Sequence, residues 1–205
     1  MIGIIDYGMG NLHSVQNACR HLGLESVISS DARVLQTCDR LILPGVGAFG
    51  DMMDNLEKAE LIPFIRSQVL EEKKPLLGIC LGMQALFESS EENGLRPGLG
   101  FLQGKVIRMD DDFVRIPQIG WNELILAGDH PLKDRLSQRP FAYFDHSYYA
   151  DGFDPGQLAA YCQYGPYVIP GLVQQDNILG SQFHPEKSGK DGLAILEWIG
   201  KEFCA

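Results

Sequence analysis

Short apolar runs that alternate with stretches of helical spacing constrain this chain's fold more than any other feature. The runs are MIGII (1–5), RLILP (40–44) and PLLGIC (75–80). Each is too short for a buried helix and is punctuated by Gly, Pro or an acid, so it reads as a strand covered on both faces of a parallel sheet. Between the first two, Leu12, Val15, Ala18, Cys19 and Leu22 recur at helical spacing, with Asn11 placed to cap the helix and Gly23 to end it. A weak strand near 26–28 and a polar stretch at 31–37 follow, and helical spacing returns from 49 to about 72, interrupted by Pro63. The first 90 residues therefore predict an α/β unit, an open and mostly parallel sheet with helices on both faces. After Gly94, Gly and Pro punctuate β-leaning segments at 101–108, 122–126, 141–150, 158–164, 168–174 and 178–183. These predict hairpins or a second layer of sheet. Residues 192–205 return to helical spacing. No internal repeat or Pro/Ser linker divides the chain, so one domain over 1–205 is expected.

Composition excludes several classes. With 205 residues and 45% hydrophobic content the chain closes a sizeable core. A formal charge of -10, from 17 Lys+Arg against 27 Asp+Glu, argues against a nucleic-acid binder. The start MIGIIDYGMGN has no basic region before its apolar run, which does not match a signal peptide, and no apolar run approaches the ~20 residues of a membrane span. Five scattered cysteines (19, 38, 80, 162, 204) without a CxxC pair suggest neither a disulfide framework nor a zinc site. They fit a reducing cytoplasm, each by default filling core. GMGN at 8–11 fails as a dinucleotide fingerprint because His13 stands where its third Gly belongs. Neither cofactor nor metal is expected.

One cysteine breaks the core-filling default. Gly78-Ile79-Cys80-Leu81-Gly82 is GxCxG, a cysteine version of the nucleophile elbow, placed after an apolar run and before a helical stretch. A nucleophile on a sharp strand-to-helix turn takes a strained backbone, and flanking glycines clear room for it. The helix N-terminus that follows favours a thiolate. Such a nucleophile needs a base, and the base needs an orienting group. His13 and His21 fall in the first helix and His130 precedes Pro131 in a polar turn, all simpler as surface or capping residues; His146, in FDHSYY, is open to a role. His184 ends the apolar strand ILGSQF and is followed by Pro185 and Glu186. His and Glu two residues apart project to the same side if the backbone stays extended, and a carboxylate there holds the imidazole in one tautomer. The Leu81 N–H is the natural first oxyanion donor, and the loop Pro44-Gly45-Val46-Gly47 is placed to bring a second. On the residues alone, the alternative is a flavodoxin-like binding module whose Cys80 is a buried or redox-sensing thiol.

PGVGAFG (44–50), GICLGMQ (78–84), PQIGWN (117–122), HSYY (146–149) and QFHPEKSG (182–189) together resemble the class I, triad-type glutamine amidotransferases. Within them the chain is most similar to the glutaminase subunits of imidazole glycerol phosphate synthase, of histidine biosynthesis. The resemblance covers nearly the whole chain. It implies a flavodoxin-like fold, with Cys80 as nucleophile, His184 as base and then acid, Glu186 as orienting carboxylate, and Val46 and Leu81 as oxyanion donors. Gly47, Gln84 and Glu92, with backbone near Ser147 and Tyr148, would hold L-glutamine. Asn11, Trp121, Tyr143 and Lys187 match positions that face a synthase subunit, a (βα)8 barrel that receives the ammonia within a heterodimer. Two residues depart from the family pattern: Gln118 stands where His is common, and Asp145 where Val is usual. The alternatives inside the resemblance are the glutaminase subunit of another amidotransferase and a stand-alone γ-glutamyl hydrolase of the same fold. A PGVG loop that completes its oxyanion hole only when the partner and its ligand are bound would couple the two sites.

Overall fold

The computed structural model describes residues 1–110 and 112–204. Its first part alternates as β1 (Ile2–Ile5), α1 (Leu12–His21), β2 (Ser26–Ser29), α2 (Ala32–Gln36), β3 (Arg40–Gly45), α3 (Phe49–Lys58), α4 (Leu61–Arg66), β4 (Leu76–Cys80) and α5 (Leu81–Gln84). Strands then take over: β5 (Phe87–Ser90), β6 (Arg96–Pro97), β7 (Leu102–Arg108), β8 (Gln118–Glu123), β9 (Ile125–Leu126), β10 (Phe141–His146), β11 (Tyr148–Asp151), β12 (Leu158–Tyr164), β13 (Tyr167–Gln175) and β14 (Ile178–Ser181). The last helix described is α6 (Gly189–Lys201).

The main sheet runs β2-β1-β3-β4-β14-β13-β12-β9. Its members from β2 to β14 are parallel, and β13, β12 and β9 extend it antiparallel. The period of two explains why the apolar runs are continuous. Ile2, Ile4, Ile42, Leu77 and Ile79 point to a core shared with Val15 and Cys19 of α1 and Ile195 and Ile199 of α6. Ile5, Leu41, Leu43 and Leu76 point to the opposite core, with Phe49, Met52 and Leu56 of α3 and Ile65 of α4. A four-stranded sheet, β11-β7-β5-β6, and a two-stranded ribbon, β10-β8, complete the structure. Among the described residues no helix is long and apolar enough to cross a membrane.

Several local expectations need correcting. The 178–183 segment forms one of the expected hairpins, with β13, but not in a second layer: β14 is also a parallel strand of the main sheet beside β4. The break in the 49–72 helical stretch falls at Glu60, whose φ is 54°, and Pro63 lies inside the first turn of α4. The missing Pro N–H costs nothing there, since first-turn N–H groups have no partner within the helix. The helix after Cys80 is a single turn, followed by β5 of the smaller sheet. Its contribution is therefore individual N–H groups rather than a macrodipole. The closing helix starts three residues before Gly192, because its first turn is polar and invisible to apolar periodicity, and it ends at Lys201; the expected stretch to Ala205 reaches beyond the described residues. Cys204 is exposed rather than core-filling, whereas Cys19, Cys38, Cys80 and Cys162 are buried.

Candidate active site

The parallel strands β3 and β4 end together, with Gly45 paired to Cys80. Cys80 has φ 54° and ψ −110°, a strained backbone for a residue with a side chain, held by close packing on both sides. A Cβ on Gly82 would sit 1.8 Å from the Leu43 carbonyl oxygen, and one on Gly78 would sit 2.6 Å from the Gly82 carbonyl oxygen. The glycines clear backbone, so the one-turn helix lies directly on the strand ends and Cys80 projects from the edge where open α/β sheets carry their sites.

His184 lies just past the end of β14 and is 3% exposed. Its backbone N–H donates to the Tyr143 carbonyl at 2.9 Å, and the Ser188 hydroxyl donates to its carbonyl at 2.6 Å, so two elements fix it. Glu186 does not reach it along an extended strand. Pro185–Lys187 forms a 3-10 turn, because the fixed φ of Pro suits a first helical position, and this turn folds the carboxylate back onto the ring. The Glu186 Oε1 lies 2.9 Å from His184 Nδ1. That contact places the proton on Nδ1 and leaves Nε2 as the nitrogen available to Cys80. Burial works against a charged imidazole, but contacts with Cys80 and Glu186 outweigh it and raise the His184 pKa well above its ordinary range.

Cys80 and His184 open into a cavity of about 320 Å³. Gly47, Gln84, Glu92, Ser147 and Tyr148 all line it, as do Val46 and Leu81. Glu92 also accepts the Phe49 N–H at 2.7 Å, tying the segment after β5 to the start of α3 and hence to the Val46-Gly47 loop. Of the four residues expected to face a partner, Lys187 alone lines the cavity. Its Nζ stands 5.8 Å from the centre of the Tyr143 ring, whose neighbour Trp121 meets it edge-on at 6.2 Å. Asn11 sits at the N-cap position of α1, but its side chain accepts the Ser14 hydroxyl at 2.7 Å instead of capping a backbone N–H. Trp121 is 54% exposed and Ile119 60%, an apolar rim beside the cavity mouth. Asp145 lines the cavity, and its carbonyl oxygen is 3.8 Å from the Cys80 sulfur. Gln118 is fully buried and donates to Asn122 and to the Cys162 sulfur, away from the cavity.

The other histidines fall as expected: His13 and His21 are exposed, and His130 caps the Leu132 N–H through Nδ1. His146 is buried beside the site, and burial, with the charge of His184 nearby, pushes its pKa down to about 4. Two site residues escaped the sequence reading. Tyr7, at the end of β1, donates its hydroxyl to the Pro44 carbonyl at 2.8 Å and so pins the stem of the Val46 loop. Burial, with Cys80 nearby, keeps that phenol protonated. Gln182 is fully buried against Cys80. Both are polar residues at the ends of apolar runs, which is the signal that was available in the sequence.

The family model for class-I glutamine amidotransferases matches residues 3–199. The imidazole glycerol phosphate synthase subunit HisH of Bacillus velezensis is 49% identical over 206 aligned positions, covering 98% of this chain and 96% of that protein. The same subunit of Bacillus subtilis strain 168 is 48% identical with the same coverage. Among solved structures, one described as a glutamine amidotransferase superposes with a TM-score of 0.76 at 22% identity, covering 97% of this chain and 98% of that one. PurLQS from Thermotoga maritima superposes with a TM-score of 0.73 at 20% identity, over 97% and 96% of the two chains. These two likenesses establish the fold, an α/β sheet with antiparallel extensions. The chain belongs to the class-I glutamine amidotransferase family and, within it, to the HisH subunits of imidazole glycerol phosphate synthase.

Proposed function

We propose that this chain is the glutaminase of a two-subunit synthase of histidine biosynthesis, hydrolysing L-glutamine to glutamate and ammonia. The observation that carries the proposal is the convergence, in one cavity, of a strained Cys80 with a His184 whose far nitrogen is held by the buried carboxylate of Glu186. The Cys80 sulfur attacks the side-chain amide carbon, and the C–N bond breaks as His184 protonates the departing ammonia. A γ-glutamyl thioester remains. Water, deprotonated by His184, then attacks the thioester, the C–S bond breaks, and glutamate leaves with the thiol restored. The N–H groups of Val46 and Leu81 receive the oxyanion of both steps, each such donor contributing about 2.7 to 4 kcal/mol. Gly47, Gln84 and the backbone of Ser147 and Tyr148 cradle the amino acid, and the Glu92 carboxylate suits its α-ammonium group.

No cofactor enters this chemistry. One glutaminase domain is assigned to residues 1–205, with its site parts spread from Val46 to Glu186. The ammonia is consumed on another chain, the synthase partner that membership among the HisH subunits implies. The rim around Asn11, Trp121, Tyr143 and Lys187 is the docking face for that chain, read as a (βα)8 barrel forming a heterodimer with this subunit in the cytoplasm. The exposed Trp121 and Ile119 beside the cavity mouth support this face. Val46 and Gly47 are the exposed end of the oxyanion loop, so a partner seated there acts on the oxyanion donors directly.

The test is a glutaminase assay with and without the synthase subunit and its nucleotide substrate. Coupling of ordinary strength predicts a rate roughly 5- to 150-fold higher in the complex. Equal rates would remove the coupling, and absence of glutaminase in both states would remove the function.

A further inference from the structure

We infer that Gln182 is a further catalytic group of this site, holding the Cys80 sulfur through its side-chain amide and tying it to the backbone that cradles glutamine. The inference rests on the reading of Cys80 as nucleophile. Gln182 lies between β14 and His184 with no exposed surface, and its Nε2 is 3.9 Å from the Cys80 sulfur. Which end of the amide faces the sulfur is decided by a chain of forced assignments. The Tyr148 carbonyl can only accept, so the Gln84 Nε2, 2.9 Å away, donates to it. The second hydrogen of that same nitrogen points to Gln182 Oε1, 3.1 Å away. The Gln182 oxygen is thereby committed as an acceptor, and its NH2 group remains for the sulfur.

His146 closes the far end of the chain. Its Nδ1 lies 2.9 Å from the same Tyr148 carbonyl, which receives two donors, and burial keeps the ring neutral. A sulfur, two carboxamides, a carbonyl and an imidazole thus form one buried polar string from the nucleophile to the glutamine-holding backbone. Partial positive charge from the Gln182 amide stabilises negative charge on sulfur. That charge is present as the thiolate attacks and again as the thiolate leaves the acyl intermediate. The other contact of the sulfur, the Asp145 carbonyl oxygen at 3.8 Å, has the opposite polarity. The amide donor offsets it.

The experiment uses Gln182→Met and Gln182→Glu in the complex with the synthase subunit. Two readouts are followed: the rate of Cys80 alkylation by iodoacetamide, read on the Cys80 peptide, and kcat and KM for glutamine. Methionine keeps the volume but removes the donor, so alkylation slows about five- to tenfold, kcat falls by a similar factor, and KM rises as Gln84 loses its partner. Glutamate can still accept from Gln84 but turns an acceptor toward sulfur, so its alkylation is slower than that of the Met variant. A side chain that merely fills space predicts parental alkylation rates in any variant that folds. Parental rates in the Met variant, or in the Glu variant should the Met variant not fold, would overturn the inference. Alkylation confined to other cysteines, with glutaminase surviving in Cys80→Ala, would instead refute the nucleophile assignment on which it rests.

Discussion

Cys80→Ala in the complex with the synthase subunit lowers glutaminase turnover by at least ~10³-fold while leaving the fold intact. The large factor follows from chemistry. Without the sulfur there is no thioester, and water must attack an unactivated amide with help only from the oxyanion donors and substrate binding, which together retain a small residual acceleration. The fold survives because alanine carries the same φ of 54° at no greater strain than cysteine, and because the flanking glycines set the elbow. A steady-state assay beside a melting curve separates the two effects. Turnover within tenfold of the parent would sink the triad.

Gly82→Ala produces the largest structural effect. The new methyl group meets the Leu43 carbonyl oxygen at 1.8 Å and the Leu43 carbonyl carbon at 2.9 Å, and neither is the tip of a flexible side chain. The backbone of α5 must lift off the end of β3. Gly45 faces the same contact from the other side, since a Cβ there would meet the Gly82 nitrogen at 2.6 Å. Overpacking against backbone destabilises by about 3 kcal/mol, which for a chain of this size lowers the melting temperature by roughly 6 to 12 °C. Because the same movement displaces Cys80 and the Leu81 N–H, glutaminase activity falls about 10²-fold at temperatures where the variant is folded. Parental melting and parental activity together would show that the glycines do not hold the elbow.

The parts of this fold that were legible in the sequence are those that bury both faces. β1, β3 and β4 alternate their side chains between two cores, so every position but Arg40 at the start of β3 is apolar and the run is unmistakable. The elbow was legible for a related reason, since close backbone contact leaves glycine as its trace. Partnerships across long separations leave no such trace. The segment containing β14 reads as the second arm of a hairpin, which it is, but nothing local shows that its other edge pairs in parallel with β4. Tyr7 reaches Pro44 across 37 positions and Gln182 reaches Cys80 across 102, each through a polar group that only the folded chain gives a partner. The His184–Glu186 pair is legible from its spacing, but its route is not: Pro185 starts a tight turn in place of an extended continuation. The residues expected to face a partner divide in the same way, with Lys187 brought into the cavity by that turn and Trp121 left exposed by its place in β8.

In the proposed mechanism glutamine is opened through a covalent bond to Cys80. Rapid acid quench of the complex during turnover, followed by mass analysis of its peptides, traps that bond. One added γ-glutamyl group is expected on the Cys80 peptide, lost on treatment with hydroxylamine and absent from His184→Ala, where nothing protonates the departing ammonia. Turnover of glutamine with the Cys80 peptide unmodified at every quench time, and the adduct on another residue, would contradict it.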